Sequence, residues 1–296
     1  MNRCSAEIAI SNVLLTTDFS EESVQAIDCA RGLCDQYGAT LHVVHVRDSF
    51  PYALSADADV VARIEEIRQK GKSQMREFVR AHHLNRKRCG STLIAGGPSV
   101  AIAKCTRKRE INLVVLGSRG TAGRSRLFDG SMAEEIFRTA QCPVIVVGPK
   151  ARVDADAGRF GRLLFATDQS RASRAAIPYI EFLLHENPSS KLTVAHFAEE
   201  ECVNVYERHQ VRKRLERELT EMVDPGLRGQ IEDVAVDSCA PNEGMVRMAD
   251  GFKADLLVLG VRSGGAFTRA ATHGRHSIAA RVISGAPCPV LTVRAA

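Results

Sequence analysis

The chain has 296 residues, 45% of them hydrophobic, enough for two ordinary domains and too apolar for a disordered chain. Its formal net charge of +5, from 40 basic against 35 acidic residues, falls far short of a dedicated nucleic-acid binder, and no apolar run reaches membrane-span length. Nine cysteines stand singly, with no CxxC pair and no zinc-type spacing; together with first residues that lack a secretory core, this predicts a cytoplasmic protein with reduced thiols and no metal site.

From the N-terminus, short β-branched runs alternate with helical patterns. A strand over 13–17 leads through "TTDFSEES" into a helix over 19–37, which either Asp18 or Ser20 is placed to cap. "LHVVHV" supplies a strand over 41–46, followed by a helix over 57–82 and a strand over 91–95. After "GGP", a helix over 98–109 precedes the strand 111–116, the Gly-rich stretch "GSRGTAGRSRLFDGS" (117–131), a helix over 130–140 and a strand over 143–147. The basic clusters at 85–88 and 107–110 read as solvated helix ends. Buried strands alternating with helices indicate a parallel sheet covered on both faces, with its ligand crevice at the carboxyl ends of the strands where strand order reverses.

The chain then repeats itself. "NVLLTTDFSEES" (12–23) is echoed by "RLLFATDQSRAS" (162–173), "ATLHVVHV" (39–46) by "SKLTVAHF" (190–197), and "AQCPVIVV" (140–147) by "APCPVLTV" (286–293). "GGPSVAIAKCTRKREINLVVLGSRG" (96–120) matches "CAPNEGMVRMADGFKADLLVLGVRS" (239–263). Matched blocks in one order indicate a tandem duplication. The join falls in "PKARVDADAGRFG" (149–161), giving domains over 1–150 and 151–296. The expected fold is α/β: two tandem doubly wound, Rossmann-like domains, each a five-stranded parallel sheet with helices on both faces. The last strand of each copy would be an exposed edge, so intramolecular pairing of the two copies through it is expected. Cys142 and Cys288, each before a proline at the start of such a strand, read as buried packing residues.

The loop after 116 has the form G-x2-G-x9-G-S: Gly117, Gly120, Gly130 and Ser131. Gly117 can leave the strand with positive φ, Gly120 can turn successive N–H groups toward an anion, and Gly130-Ser131 opens a helix whose free N–H groups favour phosphate. Arg119, Arg124 and Arg126 carry suitable charge. On residues alone, the three spaced glycines favour the plainer reading, in which they only turn the chain and Ser131 is only an N-cap. Neither a Walker A sequence nor a G-x-G-x-x-G after the first strand is present.

This signature, set between "LVVLG" and "CPVIVV", resembles the ATP-binding signature of the universal stress protein family, as do "LLTTDFSEES", "LHVVHV" and "GGP". The resemblance covers both copies. It implies an adenine-nucleotide α-hydrolase-like fold and an ATP-binding, stress-response regulatory protein. It places Asp18 on the adenine side and Val46 against the base, with Leu116, Gly117, Arg119 and Gly120 around the ribose and phosphates, and Gly130, Ser131 and Met132 completing the cradle. Mg²⁺ would accompany ATP, with no protein ligand to name. Family members pair as dimers, which implies packing of the two copies here and admits a homodimer. Protein partners are unknown, and neither nucleic acid nor membrane is expected as a partner.

The second copy departs from the signature. Asp168 is retained, but Phe197 replaces Val46, Ser263 replaces Gly120, and His276-Ser277 stands for Gly130-Ser131, although Gly264, Gly265 and Gly274 leave a shifted loop open. A phenylalanine can stack on a base or fill its pocket, and an imidazole intrudes where backbone should approach phosphate. A degenerate second site is expected. His273 and His276 have no third metal-type partner. No catalytic base or arginine finger is evident, so binding rather than turnover is expected. The alternatives are a slow ATPase, a self-phosphorylating protein using Ser131, Ser125 or Thr121, and a nucleotide-free interaction scaffold.

Overall fold

Ten strands form one sheet in the computed structural model, which describes residues 8–20, 23–47, 58–84, 87–118, 131–153, 158–198, 204–262 and 277–295. The first half contributes β1 (Asn12–Thr16), β2 (Thr40–Arg47), β3 (Cys89–Ala95), β4 (Leu113–Gly117) and β5 (Val144–Val147). Its helices are α1 (Val24–Tyr37), α2 (Ala58–Ala81), α3 (Pro98–Lys108) and α4 (Ser131–Thr139). The second half contributes β6 (Arg162–Ala166), β7 (Lys191–Phe197), β8 (Ile231–Asp237), β9 (Leu256–Val261) and β10 (Val290–Arg294). Its helices are α5 (Arg171–Arg174), α6 (Ile177–Glu186), α7 (Val205–Met222), α8 (Pro241–Phe252) and α9 (Ile278–Gly285).

The strand order is β3-β2-β1-β4-β5-β10-β9-β6-β7-β8. Each half is parallel and doubly wound, as its alternating apolar runs require. The halves meet through their last strands: Val144, Ile145 and Val146 of β5 face Thr292, Leu291 and Val290 of β10 in antiparallel register. Thr292 Oγ1 adds a bond to Val144 O at 3.0 Å. The expected edge pairing is present, and it goes further than two packed domains, because it fuses both sheets into one. The antiparallel junction also sets the carboxyl ends of β1 and β4 at the opposite end of the sheet from those of β6 and β9.

Alternation along the strands splits the core between the two faces. Leu15, Val43, Val115 and Ile145 lie in one cluster with Leu163, Val258 and Leu291 of the second half. Leu14, Val44, Val114 and Val146 lie in the other with Leu164, Leu257 and Val290. Each such side chain contributes about 1.5–3 kcal/mol on burial, so neither half keeps a complete core alone at the junction.

Two helix boundaries differ from the sequence expectation. The first helix begins at Val24, with Ser23 at the cap position, because Asp18 and Ser20 are used in the preceding turn. Its counterpart in the second half is split into α5 and α6, since Pro178 has no N–H for the carbonyl of Arg174. The join is docked on both halves. Arg152 N donates to Pro287 O at 2.8 Å, Arg159 Nε donates to Gln36 Oε1 at 2.7 Å, and the rings of Tyr37 and Phe182 lie 5.4 Å apart.

Candidate functional site at the carboxyl ends of β1 and β4

From β1 the chain moves to β2 on one side, continues to β3, and returns to β4 on the other side. The crevice at the carboxyl ends of β1 and β4 is therefore the switch point of the first half. Thr16 pairs with Val44 on one side and Leu116 on the other, so the residues that follow these strands converge.

The turn after β1 is built by short polar side chains. Thr17 N continues the ladder to Val44 O (3.0 Å), and Thr17 Oγ1 accepts from Phe19 N (3.0 Å). Asp18 Oδ1 accepts from the N–H and hydroxyl of Ser20, at 3.1 and 2.6 Å. Ser23 Oγ donates to Ser20 O (2.7 Å), which leaves Thr17 Oγ1 to donate to Ser23 Oγ across 3.1 Å. Phe19 is held at φ 65°, a left-handed conformation costly for a bulky residue. From β2, His45 Nδ1–H donates to Thr17 O at 2.7 Å, and its ring lies 4.3 Å from that of Phe19. The half-buried Asp18 is thus presented by an Asx turn locked from two sides, and is not the N-cap of α1.

Of the predicted residues, Asp18, Val46, Leu116 and Gly117 stand at the same end of three adjacent strands. Val46 is partly buried beside Ile94, its neighbour on β3. Gly117 remains in the ladder opposite Val147, so the chain leaves the strand after it and not at it, a correction to the expected turn. Ser131 is the first residue of α4, and Met132 stands half exposed beside it. Arg119, Gly120, Thr121, Arg124, Ser125, Arg126, Gly130 and the Ser131 side chain lie outside the described residues.

The second half repeats the turn. Gln169 sits at φ 58°, Ser170 N donates to Asp168 Oδ1 at 3.0 Å, and His196 Nδ1–H donates to Thr167 O at 2.8 Å. Burial opposes ionisation of Asp168, but hydrogen bonds from Ser170 and Ser173, with Arg262 nearby, outweigh it and hold the carboxyl below its ordinary value. Arg262, the counterpart of Arg119, reaches 3.8 Å from Asp168 Oδ2. Gly260, the counterpart of Gly117, admits no Cβ, which would lie 2.2 Å from Ala172 O, so close helix packing explains this glycine without positive φ. Phe197 is buried against Gly244. Ser277 caps α9, accepting from Ala280 N at 3.2 Å. Ser263, Gly264, Gly265, His273, Gly274 and His276 lie outside the described residues.

Sequence reasoning passed over Thr17, Ser23 and His45. Their signal was present: Thr-Asp after the first strand and His before the last residue of "LHVVHV" recur as Thr167-Asp168 and His196. Among the described residues no three His, Cys, Asp or Glu side chains are grouped to hold a metal ion, and no helix is long and apolar enough to cross a membrane.

Known proteins share this architecture. The model of the universal stress protein family matches residues 9–148 and again 159–294. A universal stress protein of Methanocaldococcus jannaschii is 24% identical over 144 residues, spanning 48% of this chain and 85% of that protein. The crystal structure of a universal stress protein from Archaeoglobus fulgidus superposes with a TM-score of 0.71 at 20% identity, over 97% of each chain. A second structure, of a Pseudomonas aeruginosa protein described as a putative universal stress protein, gives 0.56 at 14% identity over 98% of this chain and 95% of that one.

Proposed function

The chain belongs to the universal stress protein family, and on that premise we propose that its first half binds an adenine nucleotide, ATP, in the crevice at the carboxyl ends of β1 and β4. The observation that carries this reading is the convergence of a locked carboxylate, Asp18, with Val46, Leu116 and Gly117 at the switch point. A carboxylate there can accept from an exocyclic amine or a ribose hydroxyl, and Val46 offers an apolar surface to a base. The glycine loop that joins β4 to α4 would bring backbone N–H groups to the phosphates, with the N-terminus of α4 adding its dipole. Mg²⁺ would accompany the nucleotide. The protein would act as a regulator whose surface depends on nucleotide occupancy. The second half, with Phe197 packed into Gly244 and Arg262 on Asp168, would serve architecture.

The test uses protein purified without added nucleotide, denatured, with the released material identified and counted by chromatography and mass spectrometry. About one ATP per chain is expected. Two would overturn the reading of the second half. ADP would redirect the reading toward hydrolysis. None, followed by no binding in titration, would remove the nucleotide from the proposal.

A further inference from the structure

Away from the crevice, the first half holds a second cluster of reactive side chains, at the far end of α1. A cavity of about 250 Å³ there is lined by Cys34, Cys89, Arg31, Arg88, Asp35 and Leu41, among others. Cys34 lies in the last turn of α1, and its carbonyl accepts from the N–H of Gly38 and, at 3.0 Å, of Ala39. Cys89 opens β3 opposite Leu41 of β2. Both thiols are half-buried and both pack against the same face of the core. Arg88 donates to the carbonyl of Gly38, clasping the end of α1 to the start of β3. Arg31 pairs with Asp28 at 2.8 Å on the same helix.

Three other thiols are placed differently. Burial pushes the Cys29 thiol up to about 12, with Asp28 and Cys34 adding to it. Burial likewise lifts Cys288 to about 12 and Cys142 to about 11. Sulfur attacks as the thiolate, so these three are poor nucleophiles near neutral pH. In the second half, the positions matching Cys34 and Cys89 hold Leu184 and Glu232. The paired thiols are therefore no part of the duplicated scaffold; they occur in one half, at one cavity.

We propose that Cys34 and Cys89 are a redox pair whose substrate is a hydroperoxide. One sulfur, as thiolate, attacks the peroxide oxygen; the O–O bond breaks, a sulfenic acid forms, and the remaining oxygen leaves as water or an alcohol after taking a proton. The second thiol then attacks the sulfenic sulfur, the S–O bond breaks, an S–S bond forms, and the oxygen leaves as water. In sum the two thiols give up two electrons and two protons, and the peroxide is reduced. One cavity is bordered by both residues, and both pack against the same core face, so a small oxidant that enters it meets the two together. The product ties the C-terminal end of α1 to the outermost strand, β3. Disulfides in reducing compartments serve this kind of reversible sensing more than structure.

The test uses the reduced full-length chain, exposed to a small excess of hydrogen peroxide, quenched by alkylation and digested without reductant for mass spectrometry. The expected product is an intramolecular cross-link between the Cys34 and Cys89 peptides, reversed by dithiothreitol, with Cys29 and Cys288 unmodified. A Cys34 link to Cys29, a link between chains, stable sulfinic acid at either position, or no oxidation at all would overturn the pairing. C34S and C89S should each abolish the cross-link and leave the other sulfur trappable as sulfenic acid, while C29S should retain it. The mapping on the unaltered chain decides the matter even where a variant folds badly, and no outcome depends on nucleotide binding.

Discussion

Phe197 occupies space that only a glycine at position 244 leaves: a Cβ there would stand 2.5 Å from the ring Cδ1 and 2.6 Å from Cys239 Sγ. By sequence the matching residues in the first half are Val46 and Ala101, a smaller side chain in place of the phenylalanine and a larger one in place of the glycine. The second half thus fills with an aromatic ring the location whose counterpart in the first half is proposed to receive a base.

Gly244→Ala alone should destabilise the protein by about 1–3 kcal/mol through overpacking, and Phe197→Val alone by a similar ~1–3 kcal/mol through the cavity it leaves. The double variant, which recreates the Val/Ala pair, should return to within about 1 kcal/mol of the parent, a coupling of roughly 1–3 kcal/mol in a double-mutant cycle. Urea denaturation of the four proteins measures this. Simple additivity would show that the two positions do not compensate.

Asp18 has two separable roles. Its Oδ1 closes the turn with Ser20, and its charge is proposed to face the nucleotide. Asp18→Asn keeps an acceptor for the turn and removes the charge, so the melting temperature should hold while ATP affinity falls roughly 10-fold or more, the weight of a charged hydrogen bond. Asp18→Ala should lose both, with about 1 kcal/mol of stability going with the turn. Calorimetric titration beside thermal melts separates the two effects. Unchanged affinity in Asp18→Asn would place the carboxylate outside the binding site.

The strands and most helices were legible because period and burial agree: "LVVLG" and "VIVV" are apolar on both faces and lie inside the sheet. Duplication was legible from aligned blocks, and edge pairing from the need to cover β5 and β10. The start of α1 was not legible, because Thr17, Asp18, Ser20 and Ser23 are all good caps in isolation, and only their mutual hydrogen bonds decide which one ends the turn. Nor was the left-handed residue: Phe19 and Gln169 carry no glycine or asparagine signal, and tertiary contacts from Thr17 and His45 hold the first in place. Asp18, Val46, Leu116 and Gly117 were chosen from sequence and stand at one end of three adjacent strands, whereas the turn expected at Gly117 comes after it, since Gly117 stays in the ladder opposite Val147.

The join between the halves should be intolerant of a side chain at Gly158. Its φ is +116°, and a Cβ would lie 2.5 Å from the carbonyl carbon of Gly32 in α1, where backbone cannot give way. Gly158→Ala should therefore cost about 2–4 kcal/mol, combining backbone strain with overpacking. Substitution of exposed Gly229, which has open space around its Cβ position, should stay within about 1 kcal/mol of the parent. Denaturant midpoints give both values. A mild effect at Gly158 would show that the join is loosely held.

Stability should also fall between neutral and mildly acidic pH through His42. Its Nδ1 accepts from Arg109 Nη1 at 3.0 Å, its Nε2–H donates to Asn12 Oδ1 at 3.1 Å, and Arg109 is fixed by a 2.7 Å bond to Thr92 Oγ1. This arrangement needs the neutral ring. Burial first, and the Arg109 charge second, hold the His42 pKa below its ordinary 6.5. Because the folded value is the lower one, the unfolded chain takes up the proton first as pH falls. The contribution is complete above about 6.5, the ordinary histidine value, declines below it, and is gone once pH passes the folded value. His42→Gln removes the titration and disturbs the Arg109 and Asn12 bonds, so the variant should be about 1 kcal/mol less stable at pH 7.5 and should lose less stability than the parent by pH 5. Urea denaturation across that range tests it. Parallel pH profiles for the two proteins would mean that His42 is protonated equally easily in both states and that Arg109 does not restrain it.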